Sequence, residues 1–249
     1  MAQETSVTRP ARLGRATGAP SAQAVALLLP AGEEESSRRP SRLAAASVWS
    51  LARRLGRAGR AEGLVAHTVH YRCRGWNGAA ADAAHDAEWA LEEVVRRYGD
   101  VPVALVGTDV GGRAALRAAG HEAVVSVLAL APWLPDAQAA DAEPVRQLSG
   151  RTVLLVHGTD DARTDPDLSY RLAVRAKKAN RDVCRFEVHS DGHGMHQHRS
   201  EILALAADFV MGSLFGRPYS RPVADALAAP PPIGLRMPLA AGFAPASGA

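Results

Sequence analysis

The chain has 249 residues, 47% apolar and 22% charged, with a formal net charge of +3, which suits one substantial core of ordinary globular composition. Aromatic residues make up only 5%, leaving few platforms on which nucleic-acid bases could stack. The many early arginines, among them Arg12, Arg15, Arg38, Arg39, Arg53 and Arg60, read as solvated surface rather than a phosphate-binding arm, so no nucleic-acid partner is expected.

Residues 1–22 are polar and small and read as a flexible leader, without the apolar stretch of a signal peptide. Ala24–Leu29 is an unbroken apolar run stopped by Pro30, the pattern of a strand covered on both faces. A helix is expected over 42–58, with Leu43, Ser47, Leu51 and Leu55 at i,i+4 spacing, and a strand over 64–72 before the turn at 75–78. Asp82 is placed to cap the next helix, whose Ala87, Leu91, Val94 and Tyr98 share one side, and Gly99-Asp100 ends it. Strands follow at 103–106, Val124–Leu130, 152–157 and Val183–Val188, with helices near 112–119, 168–179 and 200–214. Residues 217–249 are rich in Pro and Ala without periodicity and read as an extended or mobile tail.

Strands alternating with helices of this length specify an α/β fold: a three-layer α/β/α sandwich around a mostly parallel sheet of about six strands, over residues 23–216. No stretch approaches the length of a membrane span, so no membrane partner is expected. Cys73 and Cys184 form no closely spaced pair; buried free thiols and a cytoplasmic location follow.

Active groups in such folds gather at the carboxyl ends of the strands, and three candidates stand there in chain order: Asp109, Asp161 and His193. Gly107-Thr108-Asp109-Val110-Gly111 closes an apolar strand and opens a small-residue helix, so the aspartate sits at a tight strand–turn–helix bend, as an alternative to a simple helix cap. The Val110 N–H, with a second donor near Ala31 or Gly32 after the first strand, would form an oxyanion hole. His193 lies between two glycines after the last strand and is the candidate base; His189, His196 and His198 are its neighbours, in a spacing unlike a metal motif, so no metal is expected. Asp161 would orient the imidazole, with Asp160 and Asp165 as competitors. Trp76, Trp133 and Tyr71 are candidates to line a substrate pocket, with ordinary packing as the alternative.

These motifs resemble the α/β-hydrolase family over residues 24–215. Gly107 to Gly112 is similar to its nucleophile elbow, His157-Gly158-Thr159-Asp160-Asp161 to its acid loop and Asp191-Gly192-His193-Gly194 to its histidine loop. The wording is similar to short actinobacterial-type members, with Asp where their elbow carries Ser. Aspartate there resembles epoxide hydrolases and haloalkane dehalogenases, which implies nucleophilic attack of Asp109 on a saturated carbon and hydrolysis of the alkyl ester by water that His193 activates. Dehalogenases place a halide-binding Trp after the nucleophile, where this chain has Val110. Both groups insert a helical cap, yet only about twenty residues separate Ala131 from Gly150.

The resemblance therefore implies a cofactor-free hydrolase that opens an epoxide on a small organic substrate. The alternatives are a lyase or cyclase using Asp109 and His193 as acid and base, a residual esterase, or a non-catalytic binding protein. With so short a cap the cleft is open to a large substrate or closed by a second subunit in a homo-oligomer.

Overall fold

The computed structural model describes residues 10–40 and 42–243, without the side chains of residues 42, 43 and 47. Two short strands, β1 (Arg12–Leu13) and β2 (Thr17–Gly18), precede β3 (Ala24–Leu29), helix α1 (Arg42–Ala58) and β4 (Leu64–His70). Then come α2 (Asp82–Tyr98), β5 (Val103–Thr108), α3 (Val110–Ala118), β6 (Val124–Leu130), α4 (Ala137–Ala142), β7 (Thr152–Gly158), α5 (Pro166–Ala179) and β8 (Val183–Val188). The chain closes with α6 (Arg199–Phe215), α7 (Arg221–Ala228) and β9 (Met237–Pro238).

The six long strands are parallel in the order β4-β3-β5-β6-β7-β8, with β1 and β2 antiparallel to β4 and β9 parallel to β8. Every residue of β3 is buried, because helices cover both faces and a parallel strand there sees no water. The pleat sorts its side chains. Val25, Leu27 and Leu29 pack with Leu91 and Val94 of α2, Ala114 and Ala115 of α3 and Leu172 of α5. Ala24, Ala26 and Leu28 pack on the other face with Leu51 and Leu55 of α1 and Leu205 and Phe209 of α6. Each fully buried Leu of this kind contributes roughly 2 kcal/mol. Leu43 and Ser47, expected on the inner side of α1, lie outside the described side chains.

Two segments expected outside the fold belong to it. Within the leader, residues 12–13 and 17–18 pair with β4 and Ala11 is buried; residues 1–9 lie outside the described residues. The tail forms α7, burying Val223 and Ala226, and then lays β9 on the sheet edge. Short two-residue pairings carry no periodicity, so composition alone could not find them. Asp82 does not cap α2: Ala81 holds the cap position at φ 44°, while the Asp82 carboxylate accepts from Asn77 at 2.7 Å and Arg72 at 3.1 Å. Both cysteines are free and buried, with Cys73 beyond the end of β4.

The segment between β6 and β7 holds the short helix α4, capped by Asp136, and a 3-10 turn at Arg146–Leu148, with no lid-sized insertion. It is pinned by Glu143, 1% exposed, which pairs with Arg113 at 2.8 Å and with Arg117. Arg113 stacks on Trp76 and Trp133, 4.2 and 5.1 Å from their ring centres. Removing one partner of a buried pair leaves the other charge uncompensated. Glu143→Ala should therefore cost about 3–5 kcal/mol, read as a lower urea midpoint.

Candidate active site

Strand β5 delivers Asp109 at φ 55° and ψ −122°, a left-handed-side conformation that non-glycine residues adopt only under constraint. The two flanking glycines permit it. A Cβ on Gly107 would stand 2.0 Å from the Gly111 carbonyl oxygen, and one on Gly111 2.1 Å from that of Leu29. The bend is fixed by backbone bonds: Asp109 N donates to Leu130 O, and Asp109 O accepts from the N–H groups of Gly112, Arg113 and Trp133. The side chain makes no helix-capping bond; it faces a cavity of about 480 Å3 at the carboxyl ends of β5 and β6.

Asp109 is 1% exposed. Its Oδ2 accepts from Gly32 N at 3.3 Å and Arg163 Nη2 at 3.0 Å, and the same Arg163 nitrogen donates to Gly32 O at 3.0 Å. Its Oδ1 has no hydrogen-bond partner among the described residues and lies 3.6 Å from His193 Nε2. Burial pushes this carboxyl above its ordinary range, against the opposing pull of Arg163, His193 and the N–H groups of Gly32 and Val110. The backbone donor within hydrogen-bond distance is Gly32, Val110 opens α3 next to the carboxylate, and Ala31 lines the cavity. Glycine suits position 32, where a Cβ would come 2.6 Å from the Arg74 carbonyl.

His193 Nδ1 lies 2.8 Å from Asp161 Oδ2. Asp161 Oδ1 accepts from the N–H groups of Arg163 and Thr164 at 2.8 and 3.0 Å, and Oδ2 also meets His157 Nε2 at 2.9 Å. Burial works to raise the Asp161 carboxyl, but bonds from His157, Thr164, His193 and Arg163 together hold it well below the usual carboxylate range. The competitors are engaged elsewhere: Asp160 accepts from Thr159, and Asp165 caps α5.

Proton counting assigns the tautomers. Ser169 Oγ lies 2.9 Å from His157 Nδ1 and 3.0 Å from Arg185 Nε, while Arg185 Nη2 donates to Pro166 O at 3.1 Å. A neutral imidazole carries one N–H, and burial lowers the His157 pKa, which favours that form. Ser169 Oγ is also 2.9 Å from Pro166 O, but Arg185 already donates there; every group is satisfied when Arg185 donates to Ser169 and Pro166, Ser169 to His157 Nδ1, and His157 Nε2–H to Asp161. His193 likewise turns Nδ1 to Asp161, which directs Nε2 toward Asp109.

The histidine loop packs tightly on the acid loop, since a Cβ on Gly158 would come 2.4 Å from Asp191 O. Asp191 braces it by accepting from Gly192, Gln197 and both the backbone and ring of His198. His198 is thereby occupied, His189 is exposed and His196 lines the cavity. No group of three His, Cys, Asp or Glu side chains among the described residues could hold a metal ion.

The structure brings Asp109, Asp161, His193 and Val110 together, but not the three aromatic candidates. The Tyr71 hydroxyl donates to Pro30 O at 3.1 Å inside the core, where burial pushes its pKa far up. Trp76 and Trp133 face Arg113 rather than this cavity, because a buried guanidinium needs their π faces. Arg163 and His157 went unassigned from sequence. Their only signal is position, two residues after and four before the acid.

A scan against protein-family models finds no match, and a search of curated proteins finds none either. Solved structures do match. A lidless α/β serine hydrolase from Xanthomonas campestris aligns at TM-score 0.58 and 18% identity, over 84% of this chain and 89% of that one. An esterase from Pyrococcus furiosus aligns at 0.57 and 12%, over 78% and 83%, and Est1E from Butyrivibrio proteoclasticus, solved with ferulic acid, at 0.58 and 15%, over 82% and 94%. The chain therefore has the α/β-hydrolase fold. No helix among its described residues is long and apolar enough to cross a membrane.

Two measurements check the acid loop. Because the folded-state value of Asp161 is depressed, its bonds stabilise fully above the unfolded value near pH 4 and are lost as pH falls through the folded value. The stability gap between wild type and Asp161→Asn should narrow below about pH 4, read from denaturation midpoints across pH. His157→Phe removes one donor from Oδ2, so the Asp161 carboxyl should titrate at higher pH in a carbon-detected NMR titration.

Proposed function

We propose that this protein is a hydrolase that opens an epoxide through an alkyl ester on Asp109. One observation carries the reading: Oδ2 is held by Gly32 and Arg163 while Oδ1 is unpartnered on the cavity side. A carboxylate so divided has one oxygen to attack with and one already among donors. Oδ1 attacks a ring carbon, the ring C–O bond breaks, and the ring oxygen takes a proton.

His193 Nε2 then removes a proton from water, which adds to Cγ of the ester. Negative charge develops on Oδ2, where the N–H groups of Gly32 and Val110 and the Arg163 guanidinium stabilise it. The Cγ–Oδ1 bond breaks, the departing alkoxide takes the proton from His193, and the acid left on Asp109 returns its proton to solvent. The sum is epoxide plus water to diol. A halide leaving group would want N–H donors in the cavity, whereas both nearby indoles face Arg113.

A single turnover in heavy-oxygen water tests this. The label should enter the Asp109 carboxyl in the first turnover and reach product only later. Asp109→Asn should form no ester and should be more stable than wild type at neutral pH, because the raised folded-state pKa makes the ionised carboxylate a cost above about pH 4. A second reading rests on the 3.6 Å contact between Oδ1 and His193 Nε2, which suits an acid–base pair in a lyase or cyclase. Turnover that needs Asp109 yet leaves it unlabelled would favour that reading.

A further inference from the structure

Two buried polar atoms at the floor of the cavity lack partners, Asp109 Oδ1 and the neighbouring Thr108 Oγ1. A buried hydroxyl without a partner destabilises a fold unless something else completes it. The walls above are aliphatic, with Leu51, Leu130, Ile202 and Leu203. On the rim stands Arg199, the first residue of α6, exposed and without a carboxylate partner among the described residues. Its guanidinium donates to Ser50 Oγ at 2.7 Å, and both residues line the cavity. A cation at a helix N-terminus opposes the macrodipole, so helix stability does not explain this arginine. Among the described residues, the one carboxylate lining the cavity is Asp109 itself.

We propose that the cavity takes an aliphatic epoxide bearing a carboxylate, an inference that rests on the Asp109 reading above and names its substrate class. The carboxylate pairs with Arg199 and Ser50 at the rim, and the chain runs along the aliphatic wall. The ring oxygen accepts a hydrogen bond from Thr108 while Oδ1 attacks the adjacent carbon. As the ring C–O bond breaks, that bond steadies the developing alkoxide, which then takes a proton from water. Tyr71 cannot serve in this place, since its hydroxyl is committed to Pro30 O.

Calorimetric titration with decanoate and with decanol separates the anion site from plain apolar binding. Wild type should bind decanoate about tenfold more tightly than decanol; Arg199→Gln should erase that difference and Arg199→Lys should keep most of it. With 4,5-epoxydecanoate as substrate, Thr108→Val should lower kcat about tenfold while decanoate affinity stays the same. Equal affinities in wild type, no binding of either probe, a preference that survives Arg199→Gln, or an unchanged kcat in Thr108→Val would each overturn the proposal. An Arg199-dependent preference for decanoate with no oxygen label in Asp109 would support the anion site and instead defeat the alkyl-ester mechanism.

Discussion

The backbone crossing at Asp109 is the constraint on which the rest of the site depends. A residue held at φ 55° costs on the order of 1–3 kcal/mol and persists only where its surroundings over-determine it. Here the surroundings are four backbone hydrogen bonds and two glycines at which no Cβ fits. The same close approach brings the end of β3 against the start of α3, so the Gly32 N–H reaches the carboxylate. Positive φ, oxyanion donors and the mouth of the cavity are thus consequences of one piece of geometry.

Around that bend two carboxylates are driven in opposite directions. Asp109 is buried with one oxygen unsatisfied and is pushed up; Asp161 is also buried, but four donors meet its two oxygens and pull it down. Environments that separate two like groups assign them different work. Asp161 stays charged and fixes the imidazole tautomer through a buried chain that reaches back to Arg185. Asp109 keeps one oxygen without a hydrogen bond, 3.6 Å from His193 Nε2. Its cation, Arg163, is half exposed at 51%, so solvent screens the pairing and offsets only part of the burial cost.

Sequence made the central strands legible because each parallel strand, covered on both faces, is a continuous apolar run. It also placed Asp109, Asp161 and His193, since a polar residue beside glycines at a strand end marks a tight loop that presents its side chain above the sheet. The leader pairings and the tail helix were hidden by their brevity and their Pro and Ala content. Tyr71, Trp76 and Trp133 misled for a different reason. A loop aromatic signals an apolar body without saying which way it turns, and here a buried arginine decides. Arg163 and His157 act through contacts made only once the acid loop folds back, and no local pattern encodes that.

The division of the Asp109 carboxylate also bears on the esterase alternative. In an enzyme with a serine at the elbow, the oxyanion donors stand vacant until a substrate carbonyl enters them. Here Oδ2 of the protein's own side chain occupies them, with a guanidinium laid across. A carbonyl arriving from outside would have to displace a charged oxygen from a charged partner in a buried site, where electrostatic interactions are strong. A saturated electrophile needs no such place, because charge builds on Oδ2 only after the ester has formed on Oδ1. The donors are then already oriented toward the oxygen that becomes negative, and little reorganisation is needed. In the proposed mechanism this asymmetry suits attack on saturated carbon rather than acyl transfer.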